Sequence, residues 1–322
     1  MVKIAIDAMG AEGNEKKSGL EIVVKGASEA NQDCEIILVG DEQELSQYNL
    51  DKRVSIHNAS EIIGMEEEPN IAVKRKRDSS IVNATRLVKK GKADILLSPG
   101  NTGATVVAAG GLGRLDKKLK IPAIAITLPN RNGEFTVLLD CGAYPECDEK
   151  GLFYFSLMGA AFYSCLFGKD YPSVGLINMG VEHYKGTEEV RKADEILREF
   201  FHNYTGFMEG NDIIEGKVDV AVCNGYVGNV ALKICEGTAK AMRERVREMG
   251  YNKDDLAIKR MNHETYGGGV LLGFKKPVVI AHGSSSSDSI KNALEFACRC
   301  NSAFPEIRDR IIKEVEEYSS LL

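Results

Sequence analysis

Tryptophan is missing from these 322 residues, and Tyr and Phe, 11 of each, are dispersed. A protein that stacks single-stranded nucleic acid needs aromatic platforms over a basic groove, and this chain has neither. Lys and Arg total 41 against 47 Asp and Glu, a net charge of −6 with no dedicated basic face. Nucleic acid is therefore not an expected partner. None of the eight cysteines forms Cys-x-x-Cys, and the close pairs Cys141/Cys147 and Cys298/Cys300 lack metal-ligand spacing. Neither a zinc site nor a redox dithiol is expected, and scattered thiols fit a reducing, cytoplasmic compartment. No run approaches the roughly eighteen unbroken apolar residues of a membrane span. The N-terminus enters a strand at Lys3–Ile6 with no signal-peptide organisation, and no internal repeat or low-complexity linker is found.

What is present is the alternation of a globular α/β protein. Apolar residues make up 43% and charged residues 27%, ordinary values for a chain with a core. Ile- and Val-rich runs at 3–8, 34–40, 54–58, 93–98, 123–128, 135–140, 173–178, 218–223 and 277–281 predict strands. Several are apolar at nearly every position, as strands buried on both faces should be. Helical patterns fall at 19–29, 80–90, 102–114, 149–167, 187–201, 229–249 and 287–300. Short connections between them predict a doubly wound, mostly parallel sheet. Asn132-Gly133 between two of the strands predicts an antiparallel hairpin. The acidic loop 61–69, with Glu66, Glu67 and Glu68, runs into the basic stretch Lys74–Arg77. One continuous domain with a protruding subdomain, residues 1–322, is expected.

Small, turn-forming residues recur where strands give way to helices, the edge at which open α/β sheets bind ligands. The corners are Asp7-Ala8-Met9-Gly10, Pro99-Gly100-Asn101-Thr102-Gly103-Ala104, Asp140-Cys141-Gly142-Ala143, Asn178-Met179-Gly180, Asn224-Gly225-Tyr226-Val227-Gly228-Asn229 and His282-Gly283-Ser284-Ser285-Ser286-Ser287. One glycine corner is ordinary turn chemistry; six along one sheet edge predict a ligand site. None has the Walker or Gly-x-Gly-x-x-Gly spacing, so ATP and NAD have no direct support. Gly100, Asn101, Thr102 and Gly103 form the best phosphate cradle; an ordinary helix cap by Asn101 or Thr102 would not by itself explain glycines on both sides. Cys141 has no His beside it in sequence and reads as a buried thiol rather than a nucleophile.

In order along the chain these corners resemble the PlsX family of phosphate acyltransferases. The likeness rests on Ile4-Ala5-Ile6-Asp7-Ala8-Met9-Gly10, Leu38-Val39-Gly40-Asp41, Asp78-Ser79-Ser80, Gly100–Ala104, Leu138–Ala143, Lys185-Gly186, Gly225–Val230, Tyr266-Gly267-Gly268 and Ala281–Ser285. It implies a three-layer α/β/α fold, isocitrate/isopropylmalate dehydrogenase-like and phosphotransacetylase-like, assembled as a homodimer. It implies that phosphate attacks an acyl thioester on acyl carrier protein or CoA to give acyl phosphate for phospholipid synthesis. No metal or organic cofactor is expected. Lys185 and Asn229 match positions held to be catalytic. Lys185 would neutralise phosphate or the oxyanion, and Asn229, opening a helix, would present its amide. Asp7, Gly10, Gly100, Asn101, Thr102, Gly103, Asp140, Gly142, Gly186, Gly225, Gly228, His282, Ser284 and Ser285 would line the substrate site. Asp7 and Asp140 would orient donors rather than move protons.

The chain departs from the family pattern at Ala11-Glu12-Gly13-Asn14-Glu15, where Gly-Asp-His-Ala-Pro is usual. Asn224 stands for Asp, Thr187 for Asn, and Tyr144 for Asn. Residues 230–265 are short for the family, and Arg243–Glu248 and Lys253–Asp255 are densely charged. Weak or no membrane association is expected, because an interfacial helix needs a wide apolar face. Two alternatives follow: a paralogue making short-chain acyl phosphate, such as acetyl phosphate, from another thioester carrier, or a non-catalytic acyl-thioester binding protein. A nicotinamide-dependent dehydrogenase of the related fold would need a metal-binding carboxylate cluster that the sequence does not offer.

Overall fold

The computed structural model describes residues 1–13, 17–30, 34–250, 267–281 and 286–318. The chain forms two compact units, Met1–Arg114 with Glu264–Phe304, and Leu115–His263 with Pro305–Leu322.

The first unit is built on strands β1 (Val2–Asp7), β2 (Cys34–Gly40), β3 (Val54–Asn58), β4 (Ile95–Ser98), β10 (Gly269–Leu272) and β11 (Val278–Ile280). Their order is β3-β2-β1-β4-β11-β10. All neighbours run parallel except β10 against β11. All four residues of β4 are buried, which explains the apolar run Ile95-Leu96-Leu97. Helices α1 (Gly19–Glu29), α2 (Glu42–Leu45), α3 (Pro69–Arg75), α4 (Ser80–Lys89) and α5 (Thr102–Ala109) connect the strands. Helix α1 begins where Ser18 accepts the Glu21 amide, and α3 begins on Pro69, whose fixed φ suits a first turn. The acidic loop and the basic stretch lock onto each other: Lys76 Nζ meets Glu67 Oε1 at 2.5 Å and the Ile62 carbonyl at 2.7 Å.

The second unit carries β5 (Ala123–Pro129), β6 (Phe135–Leu139), β7 (Val174–Ile177), β8 (Tyr204–Met208) and β9 (Val220–Val222). Their order is β5-β6-β9-β7-β8. The expected hairpin is β5/β6, the antiparallel pair; β6, β9, β7 and β8 are parallel. Helices α6 (Glu149–Phe167), α7 (Glu188–Phe200), α8 (Gly210–Glu215) and α9 (Gly225–Glu248) complete it. Helix α6 is capped by Asp148, whose carboxylate accepts the Gly151 amide at 2.7 Å, and it stops at Gly168 in the left-handed conformation. Its Phe153, Phe155 and Phe162 are fully buried. Among the described residues α6 alone is long and apolar enough to cross a membrane, and 72% of its most apolar window is buried inside the protein.

Each expected strand is present, as is each expected helix, with corrections at the ends. The helix expected at 229–249 opens at Gly225, and the one expected at 287–300 runs on through Pro305 to Tyr318 as α10 (Ser287–Tyr318). Strands β8 and β10 and helices α2, α3 and α8 were not foreseen. Helix α9 exposes Val230, Ile234 and Met242, with Ile234 63% accessible.

Candidate active site

In the first unit the corner is organised by Asp7, at the end of β1 and 3% exposed. Its carboxylate accepts the hydroxyls of Ser80 at 2.5 Å and Ser98 at 2.9 Å. Ser98 Oγ in turn accepts the Gly100 amide at 3.1 Å. The ends of β1 and β4 are thus tied through one buried acid. Burial pushes the Asp7 carboxyl up, against the pull of the serine hydroxyls and the Gly10 and Met9 amides. A Cβ at Gly10 would sit 2.5 Å from Asp7 Oδ2 and 2.7 Å from Gly100 Cα. Only glycine permits that approach.

Asn101 is spent on structure. Its Nδ2 donates to the carbonyls of Gly64, Met65 and Glu67 at 3.1 to 3.3 Å, and its Oδ1 accepts the Ala104 amide at 3.0 Å. Asn101 is the cap of α5 and anchors the preceding acidic loop. Thr102, exposed, and Gly103 follow in the first turn, where amides have no acceptor inside the helix. These two amides are what the corner can offer an anion.

In the second unit the corresponding acid is Asp140, fully buried after β6. It gathers four amides: Oδ1 accepts Ile124 at 2.8 Å, Ala143 at 3.0 Å and Gly142 at 3.1 Å, and Oδ2 accepts Tyr144 at 2.9 Å. Burial raises its carboxyl, with those amides pulling the other way. As expected, both acids hold donors in place. The loop they shape on this side then takes up the start of α9. The Tyr144 carbonyl accepts the Gly225 amide at 2.9 Å, Pro145 accepts Tyr226 at 3.3 Å, and the Asn224 side chain accepts Val227 at 2.9 Å. Gly225 and Gly228 lie so close to the Tyr144 and Asp140 carbonyls that any side chain would collide.

Asn229 therefore does not open or cap its helix; Asn224 does, and Asn229 sits a turn inside it. An Asp at 224 would accept the same amide, so the Asn keeps the cap while removing a charge. Asn229 is exposed and lies over Gly142, its Cβ, Cγ and Oδ1 3.4 to 3.5 Å from where a Gly142 Cβ would be. Among the described residues no hydrogen bond consumes its amide.

Lys185 and Gly186 lie on the loop between β7 and α7, and β7 is the neighbour of β9. Gly186 has φ +92°, and the loop is folded over Asn178, whose Nδ2 donates to the Lys185 carbonyl at 3.1 Å. The Lys185 ammonium pairs with Glu182 at 2.7 Å. Thr187 caps α7. Sequence reasoning did not find Ser80, Ser98 or Glu182. Ser80 had a signal in the Asp78-Ser79-Ser80 landmark; the others had none. Cys141 is a buried thiol donating to the Leu138 carbonyl at 3.2 Å, and burial raises its pKa well above the usual range. His282, Ser284 and Ser285 lie outside the described residues.

A family model described as "Fatty acid synthesis protein" matches residues 2–305. A phosphate acyltransferase of Pelotomaculum thermopropionicum is 43% identical, covering 92% of this chain and 90% of that one. One from Thermoanaerobacter pseudethanolicus is 39% identical and covers 98% of each. Among solved structures, a phosphotransacetylase from Streptococcus pyogenes superposes with TM-score 0.63 at 18% identity, covering 94% of each chain. A branched-chain phosphotransacylase from Enterococcus faecalis gives 0.59 at 20%, covering 94% of this chain and 99% of that one. These two likenesses establish the shared α/β fold.

Proposed function

The chain belongs to the fatty acid synthesis protein family and is an acyltransferase; on that footing we propose that it moves an acyl group from acyl carrier protein to inorganic phosphate, supplying acyl phosphate for phospholipid synthesis. The observation that carries the reading is the pattern of spent and unspent donors in the second unit. Asp140 and the Tyr144 loop consume the backbone amides at this corner. Among the described residues the side-chain donor left unpaired there is the Asn229 amide; the Lys185 ammonium, on the loop after β7, is paired with Glu182 and would exchange that partner for the anion.

A phosphate oxygen attacks the thioester carbonyl carbon, forming a C–O bond and a tetrahedral oxyanion. Lys185 neutralises phosphate, and Asn229 donates to the oxyanion. Collapse breaks the C–S bond; the thiolate leaves and takes its proton from water. A thiolate leaves readily, so no strong general acid is required. In the first unit the Thr102 and Gly103 amides offer an anion site of their own. His282, Ser284 and Ser285 are assigned to substrate binding on the resemblance alone. We further assign a cytoplasmic location, on the resemblance alone, and a homodimer, supported by the exposed apolar residues of α9, Val227, Val230 and Ile234.

The test is thiol release from acyl carrier protein and CoA thioesters, acetyl to palmitoyl, with and without phosphate, hydroxylamine trapping the acyl phosphate. Phosphate-dependent release that favours long acyl chains on the carrier protein is expected. Release confined to acetyl thioesters would establish the short-chain alternative. Tight thioester binding with no release at any length would leave a binding protein.

A further inference from the structure

The loop that presents Lys185 also holds a negative charge where an incoming anion has to go. Glu182 Oε2 lies 2.7 Å from Lys185 Nζ, with the two side chains 44% and 33% exposed. The pair rests on buried Gly180: a Cβ there would lie 2.6 Å from the ammonium nitrogen and 2.8 Å from the carboxylate oxygen. A side chain at 180 would displace the ends of both.

The pair does not shape the loop. Backbone anchors do that: Asn178 Nδ2 to the Lys185 carbonyl at 3.1 Å, the Met179 amide to Asn178 Oδ1 at 2.9 Å, the Lys185 amide to the Glu182 carbonyl at 3.0 Å, and Arg191 Nη1 to the Gly186 carbonyl at 2.6 Å. Removing the carboxylate leaves every one of these in place. What the carboxylate does is occupy the ammonium. An ion pair this exposed is worth about fivefold or less in equilibrium terms, so a ligand with greater charge can take its place.

We propose that Glu182 is a specificity-determining residue: its carboxylate competes for the Lys185 ammonium, so that a phosphate dianion displaces it and cellular monoanions do not. This rests on the reading of Lys185 as the phosphate partner. A dianion meets the ammonium with about twice the Coulomb attraction of a monoanion at the same distance. A resident carboxylate is itself a monoanion, already tethered and close, and so outcompetes chloride, nitrate or acetate.

The experiment compares full-length wild type, Glu182→Gln and Lys185→Ala in the thiol-release assay, titrating phosphate with nitrate or acetate added. Glu182→Gln is expected to lower the phosphate KM about three- to fivefold. Nitrate and acetate should become inhibitors at correspondingly lower concentrations, with kcat within about twofold. Unchanged KM and unchanged monoanion inhibition would overturn the proposal, as would loss of kcat at constant KM. Should Glu182→Gln fail to fold, Glu182→Asp, its carboxylate withdrawn by one methylene, should shift both readouts the same way by less; no shift there overturns the proposal too. Lys185→Ala separates the two failures. If it keeps full turnover, the reading of Lys185 falls and takes this inference with it. If it loses turnover while the Glu182 variants behave as wild type, only the role of Glu182 falls.

Discussion

With the amides of Gly142, Ala143 and Tyr144 turned inward onto Asp140, an anion at this corner meets side chains. Asn229 is exposed and lies over the loop, so truncating it removes a donor and leaves the core untouched. Asn229→Ala should therefore lower kcat by about 10²- to 10³-fold, the usual cost of one oxyanion donor. Its unfolding free energy should stay within about 0.5 kcal/mol of wild type, as for other surface changes. Thiol-release kinetics and a denaturant melt check the two halves, and a variant that turns over normally would remove Asn229 from the chemistry. Cys141 provides the contrast. A thiol raised by burial and bonded to the Leu138 carbonyl cannot be the acyl acceptor, so Cys141→Ala should keep its turnover. A trapped acyl-enzyme lost in that variant would reinstate it.

At the scale of elements, the functional geometry is a loop held by one acid against one helix start. Asp140→Asn tests it, because an amide presents two hydrogens on one side and no rotamer can accept all four backbone donors. At least one N–H is left buried and unpaired, at a cost of about 1–3 kcal/mol. The thermal midpoint should fall and turnover should fall with it, since the loop beneath Asn229 is displaced; no change in either would show that the carboxylate is not the organiser. The strands that lead to this loop were legible because burial on both faces writes itself as Val137-Leu138-Leu139 or Val220-Ala221-Val222. Strands β8 and β10 were not, since Thr205-Gly206 interrupts one and Gly267-Gly268 precedes the other, both of which read as turns. The start of α9 was misplaced for a related reason. Asn224-Gly225 and Gly228-Asn229 are nearly the same signal, and the choice between them is made by the Tyr144 and Pro145 carbonyls, eighty residues earlier in the chain.

For the whole molecule, the sequence carries no mark of where its two units divide. The third crossing falls between Phe304 and Pro305, inside helix α10 rather than in a linker. The same helix carries a charge whose cost is set by tertiary burial. Glu314 Oε2 is buried with no hydrogen-bond partner, and Arg310 stands 3.9 Å from the other oxygen. Burial lifts its carboxyl from 4.5 to about 7, against a smaller pull from Arg310. Between those values the folded protein binds a proton that the unfolded chain does not. Its stabilising contribution is therefore complete below pH 4.5 and is lost as pH rises through about 7. Glu314→Gln, which keeps the shape and removes the charge, should stabilise the protein at pH 8 by on the order of 3 kcal/mol. At pH 5 the gain should shrink toward zero. Thermal melts of the two proteins across pH 5 to 8 decide it: midpoints that differ by the same amount at every pH would show that the Glu314 carboxyl does not titrate in this range.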